Sequence, residues 1–189
     1  MSSHHVVREK QEPALLILGL DNFDDELLGQ LLEWSPTIIA TPQTAGSLMS
    51  YGIKIDWLIT NETTEIEQSD VKLMHAANDN FVYAALQHLV NYGYPAVNII
   101  TDEFRLDDYL PFVSQINVVI LNGNQRIFPV SSGFSKWKPA GEIIWLLRPV
   151  TGLNTTGLEQ IDESQFQTIA DGIFSLHFQQ PFVFIGEQL

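Results

Sequence analysis

The feature that most constrains this chain is a change of rhythm near Leu121. Before it, short apolar runs alternate with segments of helical spacing. Ala14–Leu20 ends at the turn-prone pair Asp21-Asn22, and Asp24–Trp34 follows with Leu27, Leu28, Leu31 and Leu32 spaced as on a helix. Thr37–Ala40 followed by Thr44–Tyr51 repeats the unit, as does Trp57–Thr60 followed by a polar stretch to Asp70. Val71–His75 reads as a further strand. The helix after it starts at an Asn78 or Asn80 cap, carries Phe81, Ala85, Leu89 and Tyr92 on one face and stops at Gly93, and Ala96–Thr101 is the next strand. Such alternation predicts a mostly parallel α/β sheet with flanking helices, whose ligands lie beyond the C-terminal strand ends.

After Leu121 the helical spacing disappears. Ile116–Leu121 and Gln125–Val130 flank Asn122-Gly123-Asn124, a hairpin signal, and Glu142–Leu147 and Ile173–Phe178 continue in β-type residues. The expected organisation is an α/β domain over 1–121 and an all-β domain over 122–189. A hydrophobic content of 45% in 189 residues is enough to build cores for both, which argues against intrinsic disorder.

Charge and composition exclude several functions. The chain has no cysteine, so it has no disulfide framework, thiolate metal site or cysteine nucleophile. Residues 1–122 hold 5 basic and 17 acidic side chains, against 4 and 6 in the remainder, and no basic stripe is present to neutralise a phosphate backbone. Nucleic acid is therefore not an expected partner. The start, MSSHHVVREKQEP, lacks the apolar core of a signal peptide, and no apolar run is long enough to span a bilayer. A cytoplasmic protein without membrane partners is expected.

Most isolated polar residues have an ordinary explanation. Glu62 and Glu65 read as solvated surface, and His4 and His5 as a terminal pair. His75, His88 and His177 read as packed or surface histidines without an acid-base partner. Ser131-Ser132-Gly133 and Ser135 lack the nucleophile elbow of an esterase. The sequons at Asn61 and Asn154 have no secretion signal to give them meaning. Trp137, between Lys136 and Lys138, reads first as a packing aromatic and second as a ligand contact.

Several strings, taken in order, resemble the thiamine pyrophosphokinases. They are Gly52-Ile53-Lys54-Ile55-Asp56-Trp57 leading into Leu58-Ile59, Ala84-Ala85-Leu86 through Gly93 with Val97-Asn98-Ile99, Arg105-Leu106-Asp107, Gly141-Glu142-Ile143-Ile144 and, most specific, Thr155-Thr156-Gly157-Leu158. The resemblance covers nearly the whole chain. It implies an α/β nucleotide-type domain, a C-terminal β-sandwich of the thiamine-binding type, and a homodimer in which the β domain of one subunit faces the α/β domain of the other.

The same comparison implies lost chemistry. Active members of that family carry the motifs Asp-Gly-Gly, Gly-Asp-x-Asp-Ser and Asp-x-Thr-Asp, whose carboxylates hold Mg²⁺ and the ATP phosphates while the thiamine hydroxyl attacks. At the matching positions this chain reads Pro42-Gln43-Thr44, Thr60-Asn61-Glu62-Thr63-Thr64 and Asn78-Asp79-Asn80-Phe81. The expected carboxylates are replaced by Pro42, Asn61, Thr63, Asn78 and Phe81, and neutral oxygens cannot balance a dication. Glu103-Phe104 stands where Gly-Gly would admit a nucleotide to the backbone. An acidic cluster of Asp102, Glu103, Asp107 and Asp108 repels a triphosphate. The Ser-Asn dipeptide of the thiamine pocket has no counterpart in 162–171, and Trp145 stands where serine is common.

The expectation is a non-catalytic ligand-binding or regulatory homologue, without catalytic residues or metal and with no cofactor. Its ligand candidates are Thr60, Asn61, Asn78, Asn80, Arg105, Asp107 and Trp145, around a neutral or cationic small molecule. The alternative is an active kinase, making thiamine diphosphate and AMP from ATP and thiamine with Mg²⁺, through displaced carboxylates such as Glu62, Asp79 and Asp107.

Overall fold

The computed structural model describes residues 12–61, 70–76 and 80–189. The chain divides into two units, 1–118 and 119–189.

The first unit is a parallel sheet. Strands β1 (Ala14–Ile17), β2 (Ile38–Ala40), β3 (Trp57–Thr60), β4 (Lys72–His75) and β5 (Ala96–Ile100) run in the order β4-β3-β2-β1-β5, each pair parallel. β1 lies between β2 and β5 and is buried along its whole length, which is why Ala14–Ile17 is continuously apolar rather than alternating. Helix α1 (Asp25–Leu32) starts where the Asp24 side chain accepts a hydrogen bond from the Leu27 N–H. Helix α2 (Pro42–Ser50) starts at Thr41, whose N–H donates to Thr44 Oγ1 at 3.2 Å; that hydroxyl also donates to the Ile17 carbonyl at 3.0 Å, stitching the helix to β1.

Helix α3 (Phe81–Asn91) is capped by Asn80, which accepts from the Tyr83 N–H at 2.9 Å, and is followed by Gly93 at φ +73°. Its buried stripe is Ala85, Leu86 and Leu89. Tyr92, expected on that face, is exposed and lies against His88, which in turn meets the Trp57 ring edge-on at 4.3 Å. The Gly52–Trp57 string also has a local physical role. Ile55 is fully buried, and the Asp56 carboxylate accepts from the Ile38 N–H at 2.8 Å, fixing β2 beside β3.

The second unit is a β-sandwich. One sheet holds β6 (Asn117–Asn122), β7 (Gln125–Val130), β14 (Val183–Gln188), β9 (Ile143–Leu146), β12 (Gln165–Thr168) and β11 (Leu158–Gln160) in that order, all antiparallel. The other holds β8 (Phe134–Lys138), β13 (Gly172–His177) and β10 (Asn154–Thr156). The expected hairpin forms, with Gly123 at φ +57°. Between the sheets lies one apolar core built on Ile144, Leu146, Phe166, Phe174, Leu176 and Ile185.

The Thr155-Thr156-Gly157-Leu158 string is the corner where the chain leaves β10 in one sheet and enters β11 in the other. Gly157 sits at φ +72°, and a Cβ there would stand 2.9 Å from the Ile173 carbonyl oxygen, so only glycine fits. One ionic group crosses the interior. Glu187 of β14, 3% exposed, meets Lys136 Nζ at 2.5 Å and Lys138 Nζ at 3.2 Å, both from β8.

Candidate functional site

A cleft of about 550 Å³ opens in the first unit at the C-terminal ends of β1, β2 and β5, where an open α/β sheet receives its ligands. Four chain segments wall it: Leu18 and Asp21 after β1, Thr41 and Gln43 at the start of α2, Asn80–Val82 at the start of α3, and Thr101, Asp102, Glu103, Arg105 and Asp108 after β5.

The segment after β5 is shaped by its own hydrogen bonds. Thr101 Oγ1 donates to the Glu103 carbonyl at 2.7 Å and accepts from the Glu103 N–H at 3.2 Å. Two single 3₁₀ turns, Leu106–Asp108 and Leu110–Phe112, follow. Phe104 stacks on Tyr109 with ring centroids 5.8 Å apart. Phe104 thus anchors the turn by packing. Burial raises the Tyr109 phenol far above its ordinary pKa, and the nearby Asp108 charge pushes in the same direction, so the hydroxyl stays protonated.

Four carboxylates and one guanidinium line this cleft: Asp21, Asp102, Glu103 and Asp108 with Arg105. Two of the carboxylates are engaged. Asp102 accepts from the Asp21 and Asn22 N–H groups at 3.1 Å each, and Asp108 Oδ2 lies 3.5 Å from Arg105 Nε. The Arg105 side chain is 78% exposed, so that pair is a weak tether screened by solvent. Among the described residues, no group of three His, Asp or Glu is placed to hold a metal ion.

Of the residues singled out from the sequence, Asn80, Phe81 and Arg105 line the cleft together. Thr60 is buried at the end of β3, Asn61 is exposed just beyond it, and Pro42 is the exposed first residue of α2. Asp107 stands exposed on the first 3₁₀ turn, outside the cleft lining. Trp145 lies in β9 of the second unit, half-buried and paired across the sheet with Gly186 and Gln165. Asn78, Asp79, Glu62 and Thr63 lie outside the described residues. Sequence reading missed Gln43, Thr41 and Asp21 as lining residues. Their signal was positional, since each follows a predicted strand end.

No family model matches the chain, and no curated protein matches it by sequence. Solved structures do match. The thiamin pyrophosphokinase of Geobacillus thermodenitrificans aligns at a TM-score of 0.69 and 11% identity, covering 93% of this chain and 97% of that one. The thiamine pyrophosphokinase of Bacillus subtilis gives 0.67 and 15%, covering 93% and 98%. The yeast thiamin pyrophosphokinase gives 0.62 and 10%, covering 96% and 87%. At such identities the likeness is one of architecture: a parallel α/β unit followed by an antiparallel sandwich. This chain has the thiamine pyrophosphokinase fold.

Proposed function

We propose that this protein is a ligand-binding relative of the thiamine pyrophosphokinases that has given up phosphoryl transfer. The observation that carries this reading is the commitment of carboxylates in the cleft. Asp102 is spent on the loop after β1, and Asp108 faces Arg105. At the starts of α2 and α3 the cleft presents Gln43, Asn80 and Phe81, which are neutral. Phosphoryl transfer needs a dication anchored by carboxylates and charge neutralised on the moving group. Among the described residues no group of three such ligands is gathered to anchor that dication, and Arg105, the cation of the lining, is paired with Asp108.

The ligand this cleft favours is a neutral or cationic small molecule, held by hydrogen bonds from Gln43 and Asn80, contact with the Phe81 ring and the surrounding negative charge. Thiamine, a cation, is compatible with that chemistry. The working assembly is a homodimer in the cytoplasm. Among the described residues no helix is long and apolar enough to cross a membrane, and two-fold dimers are the commonest soluble oligomers.

An AMP-release assay with ATP, Mg²⁺ and thiamine tests the central statement. No thiamine-dependent turnover is expected. Turnover of about one per second, an ordinary slow enzyme's rate, would overturn the reading and move the catalytic burden to displaced carboxylates such as Glu62, Asp79 and Asp107. Light scattering tests the assembly: a species of the single-chain mass, 21.3 kDa, at micromolar concentration contradicts the dimer.

A further inference from the structure

The loop after β1 aims two consecutive backbone donors at one carboxylate. The Asp21 N–H donates to Asp102 Oδ2 and the Asn22 N–H to Asp102 Oδ1, each at 3.1 Å. Consecutive N–H groups converging on one point form a nest, a concavity of positive partial charge suited to an oxyanion such as phosphate. This nest lies at the C-terminal end of the parallel strands, where the fold exposes its ligand cleft. Its occupant is a side chain of the protein itself.

Two independent features keep the carboxylate there. The paired bonds between Thr101 Oγ1 and the Glu103 backbone fix the turn that carries Asp102. On the other side, Gly19 leaves the space: a Cβ at that position would stand 2.1 Å from Asp102 Oδ2 and 2.7 Å from its Cγ. A side chain at residue 19 would meet the carboxylate and also the Asp102 backbone nitrogen, 2.9 Å away, and would disturb the turn as well.

We propose that Asp102 is an autoinhibitory group, an internal anion that fills an oxyanion nest and closes it to phosphate. An intramolecular competitor acts at an effective concentration of about millimolar or higher. An incoming anion binds only the fraction of molecules in which Asp102 has swung away, and its apparent affinity falls by that fraction. Asp21, Glu103 and Asp108 add repulsion at the same place, and Arg105, the cation of the described lining, is held beside Asp108. The inference concerns phosphate and the loop alone, so it survives if the cleft's neutral or cationic ligand proves to be something else.

The test is a titration of the full chain with inorganic phosphate, read at the Asp21 and Asn22 amides in ¹H–¹⁵N spectra. In the unaltered protein these two signals stay in place. In Asp102→Ala both move saturably, with apparent affinity at least about tenfold tighter than any response of the unaltered chain. Asp102→Asn, which removes the charge and keeps one acceptor, gives a smaller gain. Gly19→Ala, whose methyl would stand 2.1 Å from the Asp102 Oδ2 position and so fill the nest itself, gives no gain. A folded Asp102→Ala protein that does not respond to phosphate overturns the proposal and leaves Asp102 as a loop brace. So does an unaltered protein that binds phosphate at these amides as tightly as the variant. Where Asp102→Ala fails to fold, absence of a gain in both Asp102→Asn and Asp102→Ser has the same force.

Discussion

The two units handle negative charge in opposite ways. In the first, the cleft carboxylates stand at the surface: Asp21 and Glu103 are exposed, and Asp108 faces a solvated arginine. In the second, Glu187 is buried within the sandwich between Lys136 and Lys138, and Lys138 also lies 3.5 Å from Glu142. Carboxylates in water tolerate the loss of a partner, because solvent takes its place. A carboxylate removed from water needs its cations continuously, since desolvating an unpaired charge costs several kcal/mol. The same chemical group is therefore adjustable at the exposed rim of the cleft and structural inside the sandwich.

The largest expected effect breaks the buried side of this contrast. Glu187→Ala takes the shared anion from Lys138, which keeps only Glu142 at 3.5 Å, and from the one-third-exposed Lys136, and is expected to destabilise the second unit by about 3 kcal/mol in denaturant unfolding. A loss below about 1 kcal/mol would mean that Glu187 behaves like a surface acid and that the contrast is wrong.

A second effect comes from Tyr109, the buried ionisable group beside the exposed cleft. Its folded pKa lies above the unfolded value of 10.0. The unfolded chain therefore gives up this proton first as pH rises. The stabilisation is complete below pH 10 and shrinks above it, by at most about 1.4 kcal/mol per pH unit for one proton. Tyr109→Phe should remove that part of the alkaline slope in melts scanned above pH 10.

A third, smaller effect tests the helix that borders the cleft. Asn80→Ala removes the acceptor for the Tyr83 N–H and should cost about 1 kcal/mol in thermal unfolding. Smallest of all is Arg105→Ala, which should change stability by no more than about 0.5 kcal/mol because the pair is exposed. A larger loss, insensitive to added salt, would show that the cleft charges are structural after all.

The α/β half was legible because its signals are long and redundant: a buried run at Ala14–Ile17, helical leucines after Asp24, and an asparagine cap and glycine stop around α3. The NGN hairpin was legible for the same reason. Strands β8, β11, β12 and β14 were not, and the physical cause differs among them. In β8, Lys136 and Lys138 point inward to Glu187, so a period-2 pattern read from hydrophobicity alone assigns the wrong face. In β12, Gln165 and Gln167 leave too few apolar positions to register. A cleft does open beyond the strand ends. Asp102 read only as one member of an acidic cluster, because a hydrogen bond across about 80 residues has no local signature. Asn80 was legible as a cap, and its place in the cleft follows from the start of α3.

The corner at Gly157 has a consequence for folding. The chain passes from one sheet to the other through a single residue, so β10 and β11 cannot slide independently: a shift of one position in either would have to be matched in the other. Side chains alternate with a period of two, and such a slip in β11 would turn Leu158 away from the core it packs against. An inserted residue at this corner should therefore favour alternative strand pairings and aggregation over a slightly weakened native state. The Thr-Thr-Gly-Leu string works as a register lock, a role that holds whether or not any ligand or catalysis remains.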